Sequence, residues 1–140
     1  MSLQLNIDDI HLQLRISGFH ASHKECWDYE WCKVDFSVKS REWLNYRLVN
    51  REVLLCCEIE TLSDNLTKLI SGELSEQENI DCIEPDFEFI LYPSGERKSK
   101  YLEWRINFWD DTGALTANYL SLLLDEEDIV ELINYLESLY

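Results

Sequence analysis

Prolines number two in the 140 residues, glycines four, and lysines and arginines together only twelve; each scarcity excludes something. Glycines scattered at 18, 72, 95 and 113 cannot form a Gly-rich phosphate loop. So little glycine and proline, beside 46% hydrophobic and 12% aromatic residues, excludes low-complexity chains and acidic disordered tails. No run approaches the ~20 apolar residues that cross a bilayer. The opening MSLQLNIDDIHLQL has neither the basic segment nor the apolar core of a signal peptide. Five cysteines without an export signal point to a reducing, cytoplasmic compartment, and their odd number cannot form a complete disulfide framework within one chain. Asn65-Leu66-Thr67 matches a glycosylation sequon, which has no consequence there. The length suits one domain over 1–140, enough to bury on the order of 70% of the unfolded surface.

The shortage of bases weighs most. Against twelve bases stand 28 acids, a formal net charge of −16. Between Lys68 and Arg97 there is no base and there are eight acids; after Arg105 there are again no bases and eight acids. The remainder balances, with twelve of each. Such a surface repels phosphate backbones and anionic lipid and attracts basic proteins. No nucleic-acid or membrane partner is expected. The bland counterpart is that the excess charge only keeps the protein soluble.

Periodicity supplies the elements. Ile10, Leu12, Leu14 and Ile16 alternate with polar residues, as do Cys32, Val34, Phe36 and Val38, then Leu44, Tyr46 and Leu48. Ser40-Arg41 connects the second and third of these strands. From Asn50, a good N-cap, the spacing of Leu55, Ile59, Leu62, Leu66, Leu69 and Ile70 predicts a helix over 51–71, closed by Gly72. Its first turn, VLLCC, is the weakest part of that reading, since it also suits an extension of the preceding strand. Strands resume with Phe87, Phe89 and Leu91 on one face, then Leu102, Trp104, Ile106 and Phe108. ALTANYLSLLL makes a last strand, apolar on both faces near its end. Asp125 caps a final helix over 126–139, with Asp128 at the capping-box position. The expectation is an α+β fold: a largely antiparallel sheet of about six strands with two amphipathic helices on one face.

The stretch FHASHKECWDYEW, followed by Cys32, gathers His20, His23, Cys26 and Cys32. Structural zinc sites usually pair their ligands in short knuckles, and strand alternation turns Cys32 inward. No metal and no cofactor are expected. No G-x-S-x-G elbow or thiol-enzyme motif is present, WDD at 109–111 reads as a turn, and DEED at 125–128 reads as a helix cap. No catalytic residue is assigned, and the protein reads as a non-enzyme. Trp27, Asp28, Tyr29 and Glu30 have the aromatic and acidic composition of a hot spot for a basic protein. Glu76, Glu78, Asp81 and Glu84 are expected to join them. Alternating charges on the outer strand faces permit a homodimer without requiring one.

In this order of elements the chain resembles the WapI-type immunity proteins of bacterial polymorphic toxin systems. The resemblance lies in CWDYEW leading into CKVDFSV, in the helix ending LISG with the strand pairs that follow, and in Asp125 before the last amphipathic helix. It covers most of the chain. After the aspartate the family favours a polar and aromatic pattern, where this chain has Glu126-Glu127-Asp128-Ile129. The resemblance implies a small cytoplasmic protein that binds and neutralises a cognate toxin domain, often a nuclease, with no catalytic residues of its own. Nuclease domains are commonly basic, which the charge matches. The alternative is a non-inhibitory acidic adaptor or ligand-binding domain.

Overall fold

The computed structural model describes residues 1–21, 30–93 and 99–140. Four strands come first: β1 (Leu3–Ile7), β2 (Ile10–Ser17), β3 (Lys33–Ser40) and β4 (Leu44–Arg51). Helix α1 (Cys56–Ser71) follows, then β5 (Glu78–Asp81), β6 (Phe87–Tyr92), β7 (Tyr101–Trp109), β8 (Leu115–Leu124) and α2 (Glu126–Glu137). The α+β class holds, but the single sheet of about six strands does not. The strands form two four-stranded antiparallel sheets, β1-β2-β3-β4 and β5-β6-β7-β8.

Two short edge strands make the difference in count. In β1, Leu3, Leu5 and Ile7 are buried, and Asp8, with φ at 54°, turns the chain so that Ile7 pairs with Ile10. In β5 only Ile80 is buried, too little for any periodicity. Between the two meanders lies α1, which separates them in the chain.

The start of α1 also differs from expectation. β4 continues to Arg51 across a register shift, with Asn50 at φ 53° giving its N–H to Asp35 Oδ1 at 2.7 Å. Asn50 therefore serves a bulge instead of capping the helix. The next residues, Val53 to Leu55, are buried and non-helical, with Cys32 N donating to Leu54 O at 2.9 Å. Leu55 occupies the N-cap position, where it has no side-chain acceptor, and Glu58 reaches back to its N–H. At the other end Gly72 sits at φ 84°, and Glu73 N reaches Lys68 O at 3.0 Å, closing the helix as the sequence predicts. Asp125 caps α2 as expected, accepting from Asp128 N at 3.0 Å.

One core cluster takes residues from both sheets and both helices. Phe36 of β3 joins the sheets: its ring lies 4.9 Å from Phe87 and 5.6 Å from Trp104. Ile59, Leu62, Leu66 and Leu69 of α1 enter the same cluster with Ile129, Leu132 and Leu136 of α2. Tyr135 of α2 is tied to β2, its hydroxyl accepting Ile16 N at 2.7 Å. The Trp104 indole N–H finds no acceptor among the described residues, which offsets part of what burying that ring contributes. Each sheet keeps its second face toward solvent. Leu123 is consequently 55% exposed between buried Leu122 and Leu124, so the end of β8 is not apolar on both faces in the buried sense expected.

Candidate partner-binding surface

Of the residues expected to meet a partner, Trp27, Asp28 and Tyr29 lie outside the described residues. Glu30, Glu76, Glu78 and Asp81 are exposed, and Glu84 is half-buried between β5 and β6. The first turn of α1 brings the flanks of this set together. Cys56 N donates to Glu30 O at 2.8 Å, and Glu58 accepts from Leu55 N through one carboxylate oxygen and from Ile83 N through the other, both at 2.8 Å. The segment of Glu30 and the segment of Asp81–Glu84 thus both end on the amino terminus of α1, where the helix dipole favours carboxylates.

The electrostatics record that convergence. Burial pushes the Glu58 carboxyl up; its two backbone hydrogen bonds oppose this, and the charge of Glu84 adds to it. The Cys82 thiol is pushed far up, first by burial and then by the charges of Glu58, Asp81, Glu88 and Asp86. Asp86 is buried and raised by that burial, while Trp109 Nε1 donates to it at 2.7 Å and Arg51 acts in the opposite direction. Glu76 and Glu78 lie in and before β5, toward the same sheet edge.

A second feature needs strand register to be seen. On the outward face of the carboxy-terminal sheet, Asp81, Glu88, Arg105 and Ser121 lie in one row across the strands. Beside them Glu103 accepts from Arg105 Nε at 2.6 Å, Ser121 Oγ at 2.6 Å and Tyr92 OH at 3.1 Å. Burial acts to raise the Glu103 carboxyl, and these hydrogen bonds outweigh it and hold it below its usual range. Tyr92 stacks on Tyr101 with centroids 4.4 Å apart, and the Arg105 guanidinium lies 5.3 Å from the Tyr119 ring centre. The outward faces of the two sheets differ in sign, because Arg15, Lys39 and Arg47 project from the amino-terminal one around Asp35.

The cysteine–histidine cluster is not assembled by what is described. His20 is exposed, whereas Cys32 is buried with its Sγ 3.4 Å from that of Cys56; His23 and Cys26 lie outside the described residues. Burial, first, and then Cys56 push the Cys32 thiol far up. Among the described residues no group of three or more histidines, cysteines and acids is placed to hold a metal. Cys57 is disulfide-bonded, so the cysteines are not all in the thiol form that a reducing compartment leads one to expect. No helix among the described residues is long and apolar enough to cross a membrane.

A family model described as the immunity protein WapI-like family matches residues 3–140. The chain belongs to the WapI-like immunity protein family. The match takes in both sheets and both helices. A comparison with curated proteins finds no match to this WapI-like chain.

Proposed function

We propose that this WapI-like protein neutralises a basic, nuclease-type toxin domain by binding it directly in the cytoplasm, without a catalytic step. The observation that carries the reading is the convergence of the Glu30 and Asp81–Glu84 segments on the amino end of α1, in a chain of net charge −16. The proposed contacts are Glu30, Glu76, Glu78, Asp81 and Glu84, together with Trp27, Asp28 and Tyr29 of the sequence stretch that precedes Glu30. Acids clustered on one side of a low-dielectric body raise the encounter rate with a cationic protein and penalise wrong partners. Occupation of the toxin is sufficient for inhibition, so neither a metal nor a cofactor enters.

The test is co-expression. The carboxy-terminal domain of a large exported protein encoded beside this gene is expressed with and without this chain. Toxicity relieved by the chain, and restored by the triple change Glu78→Lys, Asp81→Lys and Glu84→Lys, supports inhibition through the acidic surface. Toxicity that the wild-type chain does not relieve rejects the reading and leaves a non-inhibitory acidic adaptor. Association rates that stay unchanged between low and high salt remove the steering argument alone.

A further inference from the structure

The molecule has two open sheet faces, and only one of them fits a basic partner. On the amino-terminal sheet, Arg15 and Lys39 stand on the interior strands β2 and β3 with Arg47 beside them, and none of the three forms a salt bridge among the described residues. A cationic protein is repelled there. On the strands of the carboxy-terminal sheet the single outward base among the described residues, Arg105, is already engaged by Glu103 and Glu88. Acids outnumber bases on that face among the described residues, and Asp125, Glu126 and Glu127 line a depression at its end together with Tyr101, Leu123 and Lys100, whose ammonium is turned to Ile70 O.

The same face has the composition and rigidity of an interface core. Tyr and Arg are among the residues on which binding energy concentrates, and the buried centre of an interface is more apolar than its rim. Here Tyr119 and Leu123 are each 55% exposed. Ile90 is buried on this outward side without belonging to the main core cluster. The Tyr92–Tyr101 stack, the Arg105–Tyr119 contact and the three hydrogen bonds to Glu103 fix side chains that otherwise lose entropy on binding.

We infer that the outward face of the carboxy-terminal sheet, centred on Arg105, Tyr119 and Leu123, is the docking face for the toxin domain, taking a surface with an apolar centre ringed by basic side chains. This rests on the toxin-immunity reading and adds the face that does the work. A second copy of the chain is the less suitable occupant, because two bodies of charge −16 repel.

The experiment uses the full chain and an inactivated form of the neighbouring toxin domain, with affinity measured by calorimetry. The double variant Tyr119→Ala/Leu123→Ser loses affinity by roughly 30-fold or more if these are hot-spot residues. The control Arg15→Glu/Lys39→Glu/Arg47→Glu binds as tightly as the wild type, or more tightly. Circular dichroism and thermal melting establish that both variants keep the fold; both sites being exposed, they are expected to. A folded double variant with wild-type affinity overturns the inference while leaving the immunity reading intact. A wild-type chain that does not bind the toxin domain at all overturns both. Sedimentation of the chain alone as a dimer, dispersed by Leu123→Ser, overturns the toxin as occupant of this face.

Discussion

Glu58 lies in the first turn of α1, yet one of its carboxylate oxygens holds the N–H of Ile83 at 2.8 Å, on the connection between β5 and β6. Its other oxygen holds Leu55 N at the same distance. One side chain therefore supplies a helix cap that the N-cap leucine cannot and anchors the acidic segment of the other sheet. Glu58→Ala leaves two sheltered N–H groups without an acceptor and is expected to cost about 2–3 kcal/mol. Urea denaturation measures the loss. The specific signature is faster hydrogen exchange at Ile83; unchanged protection there means that something else holds the segment.

Stability should rise as the solution is acidified from pH 8. Burial raises the carboxyls of Glu58 and Asp86, and Asp128 is pushed up to about 6, by burial first and by neighbouring acids such as Asp125 next. A carboxyl whose folded pKa lies above its unfolded one binds its proton more tightly in the native state. The native state therefore gains as pH falls through about 6 toward the ordinary carboxylate range near ~4. Relief of self-repulsion in a −16 chain acts in the same direction. Asp9, Glu103 and Asp110 have lowered carboxyls, and their contribution is lost only when pH falls below that range. Thermal melts should give a higher Tm at pH 5.5 than at pH 8, with the difference reduced in Asp128→Asn. A Tm that rises steadily to pH 8 contradicts this assignment.

Local signals were the legible ones. Asp125 and Gly72 cap helices through groups within a few residues of themselves, and the sequence carries that information directly. Asn50 has the same local chemistry but accepts a different fate, because Asp35, across the sheet, takes its N–H. The alternation of Leu3, Leu5 and Ile7 is present in the sequence, although it spans only five residues and its phase flips at Asp8-Asp9. β5 offers no pattern at all, its one buried residue being Ile80. The site divides in the same way. The acids are visible as a cluster between Lys68 and Arg97, whereas the meeting of Glu30 with the Asp81–Glu84 segment depends on α1 packing. The bonds from Arg105, Ser121 and Tyr92 to Glu103 depend on the register of β6, β7 and β8.

Gly72→Ala isolates a backbone term. The nearest atom to an added Cβ is Lys100 Nζ at 4.0 Å, so no clash arises, and the cost is that of holding a non-glycine residue at φ 84°. About 1 kcal/mol is expected. Gly72→Asn should recover part of it, since asparagine tolerates the left-handed region better than alanine. Equal stability of the alanine and asparagine variants in urea argues against a conformational origin.

Phe36 decides whether the two sheets unfold together. It is 2% exposed on β3, and its ring meets Phe87 and Trp104 of the other sheet at 4.9 and 5.6 Å. Phe36→Ala removes those contacts and leaves a cavity at the junction, with an expected cost of about 3–5 kcal/mol. Phe36→Leu keeps most of the apolar volume and should cost far less, though it forfeits the edge-on aromatic contact, worth about 0.5–1.5 kcal/mol beyond burial. The location matters more than the size. Loss of the junction should uncouple the sheets, so that hydrogen exchange protection falls further in β2–β4 than in β6–β7, or the reverse, instead of uniformly. A single denaturation transition reported identically from both sheets in Phe36→Ala shows that the helices, which also contribute to the common core, are enough to couple them.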